Sequence, residues 1–466
     1  MDDQLLVYVY NVGVGDCIYL RVPDRDANGT TRMRHIVVDC GTIDPNASEE
    51  LLKLAITHIT RMLPRDPASG RKRLDLLAVT HPHMDHFASF GLESTAPRWR
   101  RMQIERLWLN ALMDPDNPNA QRAREQLRAG NLALQALLQA DLHPALTQLA
   151  QELFSLNQGQ IASNARELLS GGLTPPLYVD DGTPADALQL FDEPGAAIHV
   201  LAPSRRIDAD YLGVTDSDPA DVFAEFNRHI LTAAGDAINW EFDNGDLTIS
   251  RGDFRRLRAR MGSRAVLLAM AQNELINNSS IVFLLTWRGR RLLFTGDAEC
   301  KFTRKGRFEE GKQNFSWNVM WARHRALLDE PLDFLKVGHH GSDNATPWTG
   351  DRPDNEANQI LDAIAPRNGN RLHAVVSAAR YASWPGNIPR RALLEELGQR
   401  IANARTYDES SHYEATSGGN WPTDAAERAA LFVPGDVPQP PRTDLERRRG
   451  APVRYIRVAF RPQEEP

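Results

Sequence analysis

The sequence predicts an α/β fold, and two features of its apolar pattern lead to that prediction. Short apolar runs bounded by polar residues recur along the chain, and the run at 76–79 is the clearest of them. Runs of this length are typical of strands buried in a sheet. Between positions 51 and 63, apolar residues instead recur at helical spacing. A sheet with a helix packed against it accounts for both features.

The strands and the first helix follow in order along the first hundred or so residues. Strands are predicted at 5–10, 18–22, 35–39, 76–80 and 106–110. Turn chemistry at Asp39-Cys40-Gly41 ends the third strand, so a β-meander enters the fold. Asp44-Pro45 and Ser48 then mark a helix start. This helix packs on the sheet through one apolar stripe, formed by Leu51, Leu52, Ala55, Ile59, Met62 and Leu63.

The middle of the chain is helical and irregular, apart from a strand predicted at 197–203. Helices are predicted at 119–142, 144–156, 217–234 and 252–261, and the first two of them are amphipathic. A linker runs from Gly171-Gly172 to Pro175-Pro176. We therefore predict two inserted helical caps over the active face, at about 111–175 and about 205–270. The caps either help to select a substrate or serve as extra scaffold or as an oligomer interface.

The end of the chain is rich in arginine. It includes Arg447-Arg448-Arg449 and contains a strand-like run at 453–460, while 434–441 predicts an extended linker. We predict one main domain at 1–430, which includes the caps and all the motifs described below, and a Pro/Arg-rich C-terminal extension at 431–466 with an edge strand. The arginines form either a solvated edge of that strand or a local basic surface that contacts polyanions.

The bulk composition bounds the kind of protein. The chain has 466 residues, but its landmarks run from Asn11 to beyond His340, so one domain with insertions is the better prediction. The formal net charge is −7, so no global field attracts nucleic acid. Three cysteines cannot form a disulfide framework, and no apolar run approaches the roughly 18 residues of a membrane span. We expect a cytoplasmic protein with no membrane partner; the sequence does not indicate its oligomeric state.

The end of the 76–80 strand carries a dense group of metal-binding residue types. His81, His83, Asp85 and His86 follow one another within six positions. In an extended chain, side chains at i and i+2 share a face, so His81 and His83 can bind one ion while Asp85 and His86 turn towards a second. Nitrogen and oxygen donors of this kind suit Zn²⁺, with Mn²⁺ or Fe²⁺ as alternatives. A second histidine cluster, His339-His340, follows another strand-like run.

Three motifs, taken in their order along the chain, resemble the metal-binding motifs of the metallo-β-lactamase fold. His81-x-His83-x-Asp85-His86 resembles its first metal motif, 292–297 its strand-end bridging aspartate, and 333–342 its last ligand motif. Two further segments, 11–17 and 277–282, are similar to the soluble nuclease domain of ComEC-like competence proteins. The resemblance covers 4–110, 177–204 and 272–400.

The resemblance implies a four-layer αββα sandwich with helical insertions and a centre with two Zn²⁺ sites, which Mn²⁺ can also fill. The implied metal ligands are His81, His83, Asp85, His86, Asp297 and one or both of His339 and His340. We assign catalytic roles to Asp85, Asp297 and His340. The expected substrate contacts are Asn278, Ser279, Ser342 and Trp384.

The chain departs from the pattern of these families at two places. Many metallo-β-lactamase enzymes have a third histidine shortly before the bridging aspartate, whereas this chain has Asn277-Asn278-Ser279, so one ion is expected to bind weakly. ComEC-like proteins usually have an Asn and a Gly-His-Pro after the strand that follows the His-His motif. Here 375–377 is followed by Ser383-Trp384-Pro385, so a substrate contact is lost or Trp384 stacks on a base instead.

Several residues near the motifs are expected to support the metal centre rather than to bind metal. Asp16 and Asp39 lie at strand ends, where they should bond loop amides or a ligand histidine. Cys17, Cys40 and Cys300 are predicted to be small buried side chains.

The function predicted from these motifs is metal-dependent hydrolysis. A metal-activated water would cleave phosphodiester bonds in single-stranded nucleic acid or a nucleotide-like substrate. One alternative is hydrolysis of a small ester, lactone or phosphocholine-type diester, because this fold supports many activities. A second alternative is a non-catalytic regulatory module that keeps the metal site.

Overall fold

The computed structural model describes residues 3–43, 45–139, 159–213, 272–300, 307–342, 344–350, 355–367, 371–377, 390–401 and 455–463. The strands of this part are β1 (Leu5–Tyr10), β2 (Cys17–Arg25), β3 (Thr31–Cys40), β4 (Lys72–Leu74), β5 (Leu76–Val79), β6 (Met102–Ile104), β7 (Leu107–Asn110), β8 (Pro176–Val179), β9 (Ala197–Ala202), β10 (Val282–Trp287), β11 (Arg290–Phe294), β12 (Phe334–Val337), β13 (His373–Val376) and β14 (Tyr455–Phe460). The prediction of an α/β fold is confirmed.

Helices connect most of these strands. They are α1 (Pro45–Met62), α2 (Met84–Gly91), α3 (Ala96–Arg100), α4 (Gln121–Gln139), α5 (Gln160–Glu167), α6 (Ala185–Leu188), α7 (Ile207–Tyr211), α8 (Ser316–Arg323), α9 (Arg325–Leu328), α10 (Glu356–Ile364) and α11 (Arg391–Gly398). A further helical stretch at 272–278 precedes β10. The predicted helix start near Asp44-Pro45 is confirmed by α1.

Two main sheets contain most of the strands. The first has seven strands in the order β14-β1-β2-β3-β5-β7-β8, and the second has five in the order β13-β12-β11-β10-β9. In the first sheet β3, β5, β7 and β8 are parallel, and in the second β11, β12 and β13 are parallel. The carboxyl ends of parallel neighbours lie at one edge of their sheet, so loops that follow them come together there.

The sheets pack against each other because their strands are apolar on both faces. In β1, Val7 belongs to a core cluster that also contains Phe283 and Phe294 of the second sheet. The next residue along β1, Tyr8, points the other way and packs in a cluster with Ile56 of α1. This alternation has the period of two that a strand imposes. The cluster shared by the two sheets is therefore the central core.

Helices cover the outer face of each sheet. The apolar stripe of α1 joins residues of α2 and α3 against the first sheet. On the second sheet, the side chains of α8, α10 and α11 form a cluster with outward residues of the strands. Trp317, Ile360 and Leu397 are fully buried in that cluster. Both faces of the central strands of each sheet are thus removed from water, as parallel strands require.

The predicted strands are present, with two differences in length. β1, β5 and β9 lie where they were predicted, and β7 occupies most of 106–110. β2 and β3 are longer than predicted because polar residues such as Asp24 and Arg34 continue the strands beyond their apolar parts. The polar ends pair in register out to Arg25 and Thr31, and strand pairing therefore extends past the apolar signal.

One part of the predicted first cap packs against the outer helices of the first sheet. α5 and the π-helical turn that follows it, Leu168–Gly172, bury Ala162 and Leu169 in the cluster that covers the first sheet. Gly91 of α2 lies so close to α5 that a Cβ there would be 1.9 Å from the carbonyl oxygen of Ile161. This segment therefore packs as scaffold, one of the roles that the sequence left open for the caps, and a cap over the rest of 111–175 stays a prediction. The predicted helix at 119–142 is present as α4.

Other predicted segments lie outside the described residues. These are the helices at 144–156, 217–234 and 252–261, the linker at 434–441, the arginines at 447–449, and Trp384. In the tail, β14 is antiparallel to β1 and forms an edge of the first sheet. Val458 and Phe460 of β14 are buried in the central core. The C-terminal extension therefore contributes a strand to the same sheet as the first residues.

Two further observations concern the expected environment. In the described part of the chain, none of the helices has the length and apolar character that crossing a membrane demands. All three cysteines are buried, as predicted.

Candidate metal centre

The residues of the two histidine clusters and Asp297 come together at one edge of the two sheets. His81, His83, Asp85 and His86 follow β5, Asp297 follows β11, and His340 follows β12. β5 is parallel to β3, and β11 is parallel to β12. The carboxyl ends of parallel strands lie at the same edge of their sheet. Two sheets therefore supply donors to one centre, although Asp85 and Asp297 are more than two hundred residues apart in sequence.

The turn between β5 and α2 shapes the first cluster. His83 is the N-cap residue of α2, so Asp85 and His86 lie in its first turn and change direction relative to His81. Gly41 packs directly against this turn, and a Cβ at Gly41 would lie 2.4 Å from the backbone nitrogen of His86. A residue with a side chain at position 41 would push the turn away. The turn chemistry at 39–41 thus serves this close approach.

The first donor group contains His81, His83 and Asp297. Nε2 of His81 lies 3.1 Å from Nδ1 of His83 and 3.7 Å from Oδ2 of Asp297. All three residues are buried. Their donor atoms are close enough to one another to bind a single cation, which is the pairing of His81 with His83 that the sequence predicted.

The second donor group contains Asp85, His86, Asp297 and His340. Nε2 of His86 lies 3.1 Å from Oδ1 of Asp297 and 3.6 Å from Oδ2 of Asp85. Nε2 of His340 lies 2.8 Å from the same Asp85 oxygen. Asp297 belongs to both groups, and its two oxygens face different histidines. A carboxylate in this position can bridge two ions.

Several donor atoms lack a partner within the protein. Among the described residues, Nε2 of His83, Oδ1 of Asp85 and Nε2 of His86 are buried without a hydrogen bond. Buried polar atoms are almost always satisfied, and an unpaired one is costly. Other buried atoms of the described residues are also unpaired, but these three lie together in the two donor groups and are of types that bind Zn²⁺. The residues present therefore fit a bound metal.

The protonation of His81, His83 and the two carboxylates suits metal binding, whereas nearby carboxylates outweigh burial and raise the pKa of His86 and His340. Burial lowers the pKa of the His83 imidazole to about 4 and that of His81 well below its usual range, so both offer a neutral nitrogen. Burial alone would raise the pKa of Asp297, but the nearby His86 and His339 outweigh it and hold the pKa low. Asp85 behaves likewise, since His86 and His340 overcome the effect of burial on its pKa. Both carboxylates are therefore ionised at neutral pH.

Hydrogen bonds from other residues fix the rings of the ligand histidines. Nδ1 of His86 donates to Asp39, which also accepts from the backbone N–H and the hydroxyl of Thr80, each at 2.7 Å. Nδ1 of His340 donates to the carbonyl of Ser377. Nδ1 of His81 lies 3.1 Å from the hydroxyl of Ser280. Such partners orient metal-bound imidazoles, and the expectation that Asp39 bonds a ligand histidine is confirmed.

Asp16 has a different partner from the one expected. Its carboxylate contacts Nζ of Lys336 and no ligand histidine or loop amide among the described residues. Lys336 was not singled out from the sequence.

The structure distinguishes the two adjacent histidines. His340 belongs to the second donor group, whereas the ring of His339 belongs to none of the groups in the described part of the chain. The backbone N–H of His339 donates to Oδ1 of Asp297 at 2.9 Å, and its ring lies 3.6 Å from Glu299. Both histidines have a left-handed backbone, with φ of 45° and 53°. That turn directs the two neighbouring rings to different places.

The segment 277–279, which contains no histidine, hydrogen-bonds to a buried carboxylate near the centre. Asn277 and Asn278 donate to the two carboxylate oxygens of Glu299, at 2.9 and 3.3 Å. Burial raises the pKa of Glu299 to about 8. The first donor group therefore has three possible protein ligands, and the buried acid Glu299 lies beside the centre. Sequence reasoning did not identify Glu299, although it is only two residues after Asp297.

The expected substrate contacts are only partly visible. Asn278 also accepts from the backbone N–H of Ser316, and Ser279 donates to the carbonyl of Ile276, so both side chains bond within the protein. Ser342 contacts Asn344 and is partly exposed. Trp384 is outside the described residues. Contact of these four residues with a substrate stays a prediction.

The chain was compared with known protein families and with curated proteins. No known family model matches the chain, and no curated protein matches it either.

Proposed function

We propose that this chain is a binuclear metal-dependent hydrolase that cleaves phosphodiester bonds, with single-stranded nucleic acid or a nucleotide-like molecule as substrate. The observation that carries the proposal is the position of Asp297, which belongs to both buried donor groups. Two ions that share a carboxylate are typical of enzymes that displace groups at phosphorus.

We further propose that the fold is the four-layer αββα sandwich of the metallo-β-lactamase family. The central core between two sheets and the helices on both outer faces support this assignment. The order of the motifs along the chain supports it as well. The likeness of 11–17 and 277–282 to ComEC-like proteins favours the nuclease branch of that family.

Zn²⁺ is the proposed metal, with Mn²⁺ as a substitute. His81 and His83 with Asp297 would hold one ion, and Asp85, His86 and His340 with Asp297 would hold the other. When bound, two such ions lower the pKa of a water towards about 7 and neutralise charge on a phosphate. The mixture of imidazole and carboxylate, without a cysteine in either group, supports this choice of metals.

The protein supplies rigid positions for these donors. Asp39, Thr80 and Ser280 hold the rings of His86 and His81, so the donor atoms need no rearrangement. The proposed ligand side chains are at most 7% exposed, so the reacting part of a bound substrate would be shielded from bulk water. A pre-arranged, dry site strengthens electrostatic interactions with developing charge.

His339 is the proposed contact for the substrate. Its ring is 28% exposed, four times more than any ligand side chain, and its backbone is fixed to Asp297. A substrate that approaches the centre would meet this imidazole, which can donate to a non-bridging phosphate oxygen. Glu299 lies 3.6 Å from the ring and would hold its orientation.

A panel of substrates tests the proposal. Metal-replete protein should contain up to two transition-metal ions per chain and should cleave bis(p-nitrophenyl) phosphate and single-stranded DNA. Chelation should abolish both activities, and added Zn²⁺ or Mn²⁺ should restore them. Hydrolysis of p-nitrophenyl phosphocholine or a lactone alone would replace the nuclease proposal with the small-molecule alternative. Metal-loaded protein that is inert towards the whole panel would favour a regulatory binding module.

A further inference from the structure

A lysine lies buried between the two sheets, close to the candidate metal centre. Lys336 is in β12, where Phe334 faces the central core and both Leu335 and Val337 face the outer helices. The period of two along a strand therefore puts Lys336 on the inner side with Phe334. Its side chain is only 1% exposed. A buried ammonium group demands a charged or strongly polar partner.

That partner is Asp16, in the loop between β1 and β2. Nζ of Lys336 lies 2.9 Å from Oδ1 of Asp16 and donates to Oδ2 at 3.0 Å. It also donates to the carbonyl of Val337 at 2.9 Å. The carboxylate of Asp16 is 2% exposed, so neither charge is shared with bulk water. The ion pair joins the first sheet to the second at the edge where the metal donors meet.

Each member of the pair is tied to one of the loops that carry ligands. The backbone N–H of Asp16 donates to the carbonyl of Asp85 at 2.8 Å. Gly15 permits this approach, since a Cβ there would lie 2.8 Å from the same carbonyl. Lys336 is four residues before His340 on the strand that delivers it. Asp85 is thus linked to Asp16 by a hydrogen bond, and Asp16 is linked to Lys336 by the ion pair. Lys336 is linked to His340 by four residues of backbone.

Asp16 also belongs to a third group of possible metal ligands, together with Asp39 and His86. In this group Asp39 bonds His86 and Thr80, while Asp16 bonds Lys336. The ammonium of Lys336 therefore supplies a positive charge where the donor atoms alone would suit a further cation.

We propose that Asp16 and Lys336 are a positioning pair that sets the separation between Asp85 and His340, and with it the affinity of the second donor group for its ion. This inference rests on the metal centre of the proposed function. The first donor group takes no ligand from β12, so its ion should depend less on the pair. Loss of the pair should therefore affect the two ions unequally.

The test is a titration of metal-free protein with Co²⁺, followed by visible absorption and by calorimetry. Lys336→Met leaves Asp16 buried without a partner and could prevent folding. The double variant Asp16→Asn with Lys336→Met removes both charges and avoids that problem. In each folded variant we expect at least a tenfold loss of affinity for one ion and a changed Co²⁺ spectrum. The double variant should recover thermal stability but should not recover the affinity.

The matched control is another buried ion pair in the first sheet. Arg34 lies 2.5 Å from Asp24, with 10% and 0% of their side chains exposed, and no donor group of the described chain includes either residue. Arg34→Met and its double variant with Asp24→Asn should lower stability without changing Co²⁺ binding. Wild-type affinity and spectrum in the Asp16→Asn/Lys336→Met protein would overturn the inference. An equal loss of affinity in the Arg34 variants would also overturn it.

The outcome is separable from that of the proposed function. Wild-type protein that binds two ions but cleaves no diester would refute the proposed function, while the titrations would still decide the role of the pair. Wild-type protein that cleaves diesters, with unchanged metal binding in the Lys336 variants, would refute only the positioning role.

Discussion

Oδ2 of Asp39 lies 2.8 Å from Nδ1 of His86, so a residue that binds no metal in our proposal determines which nitrogen of a ligand histidine faces the centre. Asp39→Asn would leave the size of the side chain unchanged but would weaken this charged hydrogen bond. We expect metal affinity to fall by about 10- to 100-fold, as is typical for partners of metal-bound histidines. Calorimetric titration of metal-free protein measures the change.

Asp24 provides a control for the Asp39 variant. It is a fully buried carboxylate in the same sheet and accepts from the backbone N–H groups of Asp192 and Glu193. Asp24→Asn should reduce stability but should leave metal affinity unchanged. Equal affinities in Asp39→Asn and wild-type protein would show that Asp39 does not orient His86.

Asp297→Ala should remove the ligand that the two donor groups share. Bound metals contribute several kcal/mol to such reactions, so the loss of turnover should exceed about 10³-fold. The measurement is kcat for bis(p-nitrophenyl) phosphate, together with elemental analysis. The prediction fails if the variant retains both ions and normal turnover.

The two ions should differ in how fast they exchange. The first donor group has three protein ligands and the second has four, because Asn277 and Asn278 bond Glu299 instead of a metal. We expect the ion at His81 and His83 to bind more weakly and added Zn²⁺ or Mn²⁺ to stimulate activity. Two equally tight sites in a calorimetric titration would contradict this expectation.

Replacement of His339 and of His340 by glutamine should change different properties of the protein, substrate binding in the first case and metal content in the second. His340→Gln removes a member of the second donor group, so the protein should lose affinity for one ion. His339→Gln should keep both ions and raise KM for a diester more than it lowers kcat, because the ring of His339 is the partly exposed one. Metal content and steady-state kinetics distinguish the two variants. Loss of an ion in His339→Gln would make this histidine a ligand.

His35 should make stability depend on pH. It is buried, its Nδ1 lies 2.6 Å from the Tyr19 hydroxyl, and burial lowers its pKa to about 4, below the usual value of about 6.5. Asp75 opposes this shift in the pKa, while Arg21, Arg73 and Lys72 favour it. Above pH 6.5 His35 is neutral in both folded and unfolded protein, and its contribution is complete. As pH falls from 6.5 to 4, only the unfolded state gains the proton, and about 3 kcal/mol is lost.

Chemical denaturation of metal-free protein at pH 7, 5.5 and 4.5 checks this prediction. His35→Gln should show a shallower loss of stability with falling pH than the wild type. The comparison isolates His35, because the metal-site histidines are the same in both proteins. Parallel pH profiles would show that His35 already binds a proton in the folded state at pH 5.5.

The part of the centre that could be predicted from the sequence is the part encoded locally. His81, His83, Asp85 and His86 lie within six residues after an apolar strand, so their spacing alone indicated a shared site. The choice between His339 and His340 could not be made, because a left-handed turn separates their rings. The spacing of residues on a regular strand or helix does not describe such a turn.

Residues that act through distant partners were missed. Lys336 contacts Asp16, 320 positions earlier, and Glu299 contacts Asn277 and Asn278, more than twenty positions away. A signal existed for Lys336, since a lone lysine inside the apolar run of β12 must find a buried partner. α5 was assigned to a cap because it lies in the helical and irregular middle of the chain, where sequence spacing does not show which sheet a helix covers. The close approach of α5 to α2 depends on Gly91, because a Cβ there would collide with the backbone of α5.

The pairing of β1 with β14 joins residues near the two ends of the chain. A ribosome that adds about 5–20 residues per second would complete β14 tens of seconds after β1. Throughout that time the edge of β1 has no strand to cover it, and exposed strand edges recruit other chains. We therefore expect the newly made chain to be more prone to associate with other chains before β14 emerges than after it.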